Sequence, residues 1–314
     1  MSKHINIIAR SNGVGLDSDV LLLTQALEKG GHQVTFSHCR SRSLFKKWFS
    51  PKHQYDANLF LERVFPVWFG AAKKNLLIPN QERFPERHVD RLQNIDHILC
   101  KSNHAQEIFS KLGANSQYIG FTSKNINLEN TAPEYGKFFH LAGRSTLKGT
   151  ETILKLWLKH PEWPELTIVQ HKDNAPENVP NNVRLIAEYL PYEELIELAN
   201  THGIHLCPSQ SEGWGHYIVE AMSCGAIVVT TDAPPMNELV SDDRGVLIPF
   251  HKTEPRHLGT NFFVDPDLLE EKISTLLQEE KSSKIQKSEL ARQWFIENDQ
   301  QFTTNINKVI SEIL

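Results

Sequence analysis

Apolar residues along this chain fall in short runs separated by polar loops and amphipathic stretches. Residues 5–9 (Ile5-Asn6-Ile7-Ile8-Ala9) form one such run, of strand length and flanked by polar residues. The loop Ser11-Asn12-Gly13-Val14-Gly15 follows. Asp17 or Ser18 then caps a helix carrying Val20, Leu23 and Leu27 at i, i+3 and i+7, which stops at Gly30-Gly31. Val34-Thr35-Phe36, Leu76-Leu77-Ile78 and residues 95–100 read as further strands. Residues 103–112 read as a helix ended by Gly113, and Tyr118-Ile119 as another strand. Between residues 127 and 137 the pattern lapses into polar sequence with Pro133 and Gly136, which suits a linker.

The alternation then restarts. Strands are expected at 138–142, 166–169, 183–186, 204–207 and 227–230, with helices at 150–159, 192–200 and 217–223. From Pro266 onward the chain reads as helical and highly charged. A strand-loop-helix order of this kind predicts parallel sheets with helices on both faces. The fold class is α/β, with two Rossmann-like, doubly wound parallel-sheet domains facing a cleft and a C-terminal helical tail. The boundaries are 1–130 for the first domain, 137–298 for the second and 299–314 for a terminal helix. No period of 20–50 residues marks a solenoid.

Composition narrows the class. The 314 residues suit two domains at ~100–200 residues each. Lys and Arg total 33 against 38 Asp and Glu, a net charge of −5, which argues against gripping a polyanion by bulk charge but leaves a local basic patch open. No apolar run approaches the ~20 residues of a membrane span, and the first ten residues read as a strand rather than a signal peptide. Cys39, Cys100, Cys207 and Cys224 are scattered, as expected of reduced thiols in a cytoplasmic protein. The 15 histidines lack ligand spacing, so no metal site is expected.

The most informative segment runs from Pro208 to Gly225 and follows an apolar strand into a helix. Gly213 and Gly215 permit close backbone approach, and free N–H groups at a helix start favour an anion. Glu212 sits in the loop and Glu220 about one turn into the helix. A carboxylate accepts two hydrogen bonds at once and so suits vicinal hydroxyls. The segment can therefore hold a phosphate and two polyol ends, the parts of a nucleotide sugar. A second strand-to-helix loop, Ala142-Gly143-Arg144-Ser145-Thr146-Leu147-Lys148-Gly149, places the two cations Arg144 and Lys148 where they suit a departing diphosphate.

These blocks resemble the retaining glycosyltransferases of family four, which have the GT-B fold. Glu212 and Glu220, with seven residues between them, look like that family's EX7E motif. Gly143-Arg144 with Lys148-Gly149 is similar to its diphosphate loop. The stretch from Ala226 to Leu239 is similar to the family's strand, turn and Glu-hydrophobic segment. The resemblance covers residues 138–250 strongly and the rest by alternation alone.

The resemblance implies transfer of a sugar from a nucleotide-sugar donor to an acceptor hydroxyl, with retention of anomeric configuration and without metal or cofactor. A UDP- or GDP-sugar is the implied donor. Glu212 would meet donor-sugar hydroxyls, and Glu220 the ribose. Backbone groups of Gly213, Trp214, Gly215, His216 and Tyr217 would bind sugar and phosphate. Arg144 and Lys148 would neutralise the leaving diphosphate, and the base would sit near Ile186. Gly13 and Gly15 would approach the diphosphate from the first domain. That domain would be the acceptor side, the second the donor side, and the terminal helix would cross back to the first.

Departures are informative too. The first domain is short for the family. Where many members have a His after a first-domain strand, this chain has Pro79-Asn80-Gln81-Glu82, so Asn80 or Glu82 is a candidate substrate contact. His216 stands where Leu is common and would favour an anion when protonated. Residues 45–53, with three aromatics among cations, suit an acceptor-binding or weak membrane-surface element, or a loop or short helix with inward-packed aromatics and wet lysines.

Structural alternatives stand beside each assignment. Glu212 and Glu220 would also suit a helix dipole, Arg144 and Lys148 a solvated loop, and Gly13–Gly15 a plain turn. A nucleotide-sugar epimerase, a phosphorylase or a non-catalytic nucleotide-sugar binder would use the same architecture. The acceptor stays open among glycan, lipid, protein, small molecule and modified nucleic acid.

Overall fold

The strands of both sheets are hydrogen-bonded entirely in parallel. The structure is a computed structural model and describes residues 2–10, 15–42 and 52–314. It divides into two units. Unit 1 comprises residues 1–124, 255–259 and 297–314, and unit 2 comprises 125–254 and 260–296.

In unit 1 the sheet is built from β1 (His4–Ala9), β2 (Gln33–His38), β3 (Tyr55–Glu62), β4 (Ala72–Pro79), β5 (His97–Cys100) and β6 (Ser116–Tyr118), in the order β2-β1-β3-β4-β5-β6. Five of the six residues of β1 are buried, as expected of a strand covered on both faces. Helix α1 (Gly15–Lys29) follows β1. Helix α2 (Asn103–Lys111) follows β5 and is capped by Ser102, whose side chain accepts from the Ala105 N–H. The β3–β4 and β4–β5 connections are 3₁₀ segments at Pro66–Ala71, Gln81–Arg83 and Glu86–Asn94. A core around Phe60, Phe84 and Phe109 lies under them.

In unit 2 the sheet order is β12-β11-β10-β7-β8-β9. Its strands are β7 (Glu134–Gly143), β8 (Leu166–Gln170), β9 (Val183–Ile186), β10 (His202–Cys207), β11 (Ile227–Thr231) and β12 (Gly245–Ile248). The connecting helices are α3 (Thr150–Lys159), α4 (Tyr192–Thr201), α5 (His216–Ser223) and the short α6 (Met236–Leu239). Strand β7 begins inside the segment read as a linker, because Glu134 pairs with His202 of β10. Trp157, Trp163, Phe138 and Ile204 centre the core.

The hairpin of β13 (Phe250–Arg256) and β14 (Gly259–Val264) was not legible in the sequence pattern, since residues 250–255 are all exposed and polar side chains dominate β13. At its tip, Leu258 packs on the unit 1 core. Two helices complete the chain, α7 (Pro266–Gln278), capped by Asp265, and α8 (Lys281–Ile313). The last turns of α8 pack within unit 1. There Phe302 meets Phe121 with ring centroids 4.9 Å apart, and Asn307 donates to the Ala26 carbonyl at 2.9 Å. No helix among the described residues is long and apolar enough to cross a membrane.

Each sheet has one place where strand order reverses. In unit 1 it lies between β1 and β3, and in unit 2 between β7 and β10. The crevice at the carboxyl ends of such a strand pair is the usual ligand position in doubly wound sheets.

Candidate active site

Two loops leave the carboxyl ends of β7 and β10 at the reversal point of unit 2, and they carry the residues singled out in the sequence. Gln210 donates its N–H to the Leu147 carbonyl at 2.8 Å, which ties the loops together. Gly149 enters α3 with φ +73°, and a Cβ there would lie 2.6 Å from the Pro208 carbonyl oxygen. Only glycine fits so close to the neighbouring backbone. Below this contact, Thr231 donates its hydroxyl to the Ser209 carbonyl at 2.7 Å, fixing the second loop to β11.

That scaffold brings Lys148 and Glu212 together. Lys148 Nζ donates to Glu212 Oε1 at 2.5 Å, and the side chains are 16% and 14% exposed. The Ser209 hydroxyl also donates to Glu212 Oε1 at 2.5 Å, and Ser209 and the Tyr217 hydroxyl are 2.5 Å apart. Lys148 Nζ lies 3.5 Å from the centroid of the Tyr217 ring, a cation–π contact. Burial, followed by Cys207 and Glu212, raises the Tyr217 phenol well above its ordinary range, so it stays a protonated donor. The sequence pointed to Lys148, Glu212 and Tyr217. It did not single out Ser209, which joins them only through the fold.

Helix α5 starts at His216, one residue earlier than periodicity suggested. Its N-cap is Gly215 in the left-handed region, φ +106°, with no side-chain cap. First-turn N–H groups without a capping side chain suit a phosphate. Gly213 and Trp214 are buried and His216 is half-buried. Glu220 is half-buried on α5, where it lines a small cavity of about 20 Å³ with Tyr217 and Cys207. Its charge also helps raise the Tyr192 phenol, after burial.

Other predicted residues are dispersed. Arg144 is exposed, and its carbonyl accepts from the Asn174 side chain at 2.9 Å. Ile186 is half-buried at the carboxyl end of β9. In unit 1, Gly15 opens α1, Asn80 is half-buried after β4, and Glu82 is 6% exposed with Arg83 3.7 Å away. Gly13 and residues 45–51 lie outside the described residues.

Gln170 was missed by the sequence reading. It ends β8 at the same carboxyl edge, is 5% exposed, and its side-chain oxygen has no hydrogen-bond partner. A buried amide of this kind is costly unless something fills its valence. No motif carries it, so only the strand end gives it away.

The chain is also similar to proteins of known structure. The chain resembles Anabaena HepE in complex with UDP and glucose (TM-score 0.72, 15% identity, 99% of each chain). It also resembles sucrose-phosphate synthase from Thermosynechococcus elongatus (TM-score 0.73, 14% identity, 99% of each) and a glycosyltransferase from Rickettsia africae (TM-score 0.75, 14% identity, 99% of this chain and 98% of that one). These establish the GT-B fold. Over 190 residues the chain is 24% identical to uncharacterized glycosyltransferase 335 of Sulfolobus islandicus rod-shaped virus 1. That match covers 54% of this chain and spans little more than half, 56%, of the viral protein. Residues 175–294, which include Glu212, Glu220 and all of α5, match the family described as Glycosyl transferases group 1. Through that segment the chain is similar to the group 1 glycosyl transferases.

Proposed function

We propose that the protein is a retaining glycosyltransferase that moves a sugar from a UDP-sugar to an acceptor hydroxyl, with the donor held by unit 2. One observation carries the reading: Lys148, Glu212, Ser209 and Tyr217 converge beside an uncapped helix start at the strand-reversal point of that unit. The UDP and glucose in the Anabaena HepE structure support a UDP-sugar as the donor class.

The chemistry follows from what these groups offer. The bond between the sugar's anomeric carbon and the diphosphate oxygen breaks, and negative charge grows on the diphosphate. Lys148 and the first-turn N–H groups of α5 stabilise that charge where it develops. Arg144, exposed on the same loop, adds a second cation. Glu212 accepts hydrogen bonds from donor-sugar hydroxyls, and Glu220 from the ribose. The acceptor oxygen forms its new bond on the face the diphosphate leaves, and its proton passes to the departing phosphate oxygen. Ser209 and the protonated Tyr217 hold the Glu212 carboxylate in place.

The test is ligand-linked stabilisation followed by turnover. UDP at about 100 times its Kd should raise unfolding free energy by ~2.7 kcal/mol. Release of UDP from a UDP-sugar and acceptor mixture should vanish in Glu212→Ala and Glu220→Ala while both variants stay folded. No stabilisation by any nucleoside diphosphate, or unchanged turnover in both variants, refutes the assignment.

A further inference from the structure

A well-formed cavity lies in unit 1, away from Glu212. It encloses about 490 Å³, within the ordinary size of a small-molecule site. Its walls come from the segments that follow β2 and β3, the strands on either side of β1, and from the 3₁₀ segment after β4. It therefore sits at the carboxyl ends of the strands, where unit 1's strand order reverses.

The lining is strongly cationic. Arg40, Arg42, Arg63 and Arg91 contribute four guanidinium groups and His88 an imidazole, and no acidic side chain among the described residues lines it. Arg63 is paired with Glu62 at 2.9 Å. Arg42 is 7% exposed, and its buried Nε and Nη1 have no hydrogen-bond partner among the described residues. Its guanidinium lies 5.5 Å from the centroid of the Trp68 ring, and the Trp68 indole donates to the Cys39 carbonyl at 3.2 Å. The fork is thus held in place with its polar edge unsatisfied. A buried, unpaired guanidinium is a costly arrangement, and an anion removes the cost. His88 Nδ1 is likewise buried, with no partner among the described residues. Burial, then Arg91, Arg87 and Arg63, lowers the His88 pKa, so near neutral pH the ring is free to donate or accept one hydrogen bond.

We propose that this cavity binds the phosphate of a phosphorylated polyol, and that this molecule is the glycosyl acceptor. The acceptor role rests on the transferase reading above, whereas the binding does not. Planar guanidinium forks match phosphate oxygens two at a time, which favours phosphate over a neutral sugar. The cavity is large enough to seat a carbon skeleton as well, and residues 64–67 give it an apolar side. The same phosphate chemistry is offered by a free sugar phosphate and by a lipid headgroup.

Calorimetry on the full chain tests this, with glucose 6-phosphate and glycerol 3-phosphate against glucose and glycerol, and with phosphatidylinositol vesicles against phosphatidylcholine vesicles. Phosphorylated compounds should bind at least about tenfold more tightly than their neutral counterparts. Arg42→Gln and the half-buried Arg91→Ala should each weaken that binding by about tenfold or more, with UDP affinity unchanged. Arg91→Ala keeps the test sound if Arg42→Gln fails to fold. Saturable binding of the soluble phosphates assigns a free acceptor, and binding confined to phosphatidylinositol vesicles assigns a lipid headgroup. Equal binding of phosphorylated and neutral compounds, or wild-type binding by a folded Arg91→Ala, overturns the proposal. Phosphate binding without any nucleotide binding upholds the anion site and overturns the transferase reading and the acceptor role together.

Discussion

Lys148 and Glu212, 64 positions apart in the chain, meet at 2.5 Å between two loops of unit 2. Each is more than four-fifths buried, so solvent screens the pair only in part. The cation proposed to neutralise a diphosphate is held by the carboxylate proposed to hold the sugar. Lys148→Ala and Glu212→Gln should each lower kcat/KM for the nucleotide sugar by about a hundredfold or more. The double variant should fall short of the summed losses by ~1–3 kcal/mol, since neighbours in one network are not additive. Strict additivity in the cycle would show that the two act separately.

Gly149→Ala tests the contact that holds those loops. The new methyl would meet the Pro208 carbonyl oxygen at 2.6 Å, at a φ of +73°. Left-handed strain and overpacking together should cost about 3 kcal/mol in urea unfolding, with loss of turnover. Gly136→Ala is the control, because nothing lies within 4 Å of its added methyl. Stability there should hold or rise by up to ~1 kcal/mol. Equal effects at the two sites would contradict the close approach.

Two histidines make unit 2 sensitive to acid. His140 is fully buried, bonded to the Leu206 carbonyl at 2.7 Å and to Thr150 at 2.9 Å. His205 is buried and bonds the Ala199 carbonyl at 2.9 Å. Burial lowers both to about 4. The unfolded chain, titrating near ~6.5, then binds more protons than the native one between pH 6.5 and 4. Their contribution is complete above pH 6.5 and is lost as pH falls toward 4. The slope approaches ~1.4 kcal/mol per pH unit for each histidine. Urea midpoints at pH 7.5, 6.5 and 5.5 should therefore drop on the acid side, and a flat profile would refute the linkage.

Much of this fold was readable because parallel strands buried on both faces leave mostly apolar runs, as residues 5–9 and 227–229 do. The loops of unit 2 were readable because Lys148 and Glu212 each follow a strand end closely, and Gly215 and Glu220 continue from Glu212 into the next helix. What stayed hidden depends on distance along the chain. Arg40, Arg42, Arg63, His88 and Arg91 come from separate segments, and a net charge of −5 conceals their convergence. Ser209 and Gln170 are ordinary polar residues until the sheet sets one against Glu212 and buries the other. The exposed β13 strand carries no alternation to read.

Gln170 supplies a prediction in which stability and affinity move in opposite directions. Its side-chain oxygen is buried without a partner at the end of β8. Gln170→Leu removes that unsatisfied group and should leave thermal stability unchanged or raise it by ~1 kcal/mol. If the amide serves the donor, UDP-sugar affinity should fall about tenfold in the same variant. Unchanged affinity would make Gln170 a passive core residue.

Unit 1 is closed by the far end of the chain. Phe302 packs on Phe121, Asn298 and Asn305 donate to the Phe121 and Ile119 carbonyls, and Thr122 donates to Asp299 at 2.9 Å. On a ribosome adding ~5–20 residues per second, residues 1–124 emerge some ten to thirty seconds before these partners exist. Through that interval Phe121, fully buried in the finished protein, lacks the Phe302 ring that packs on it. Residues 125–296, by contrast, emerge without interruption. The order of synthesis thus favours completing unit 2 first and makes unit 1 the last to mature.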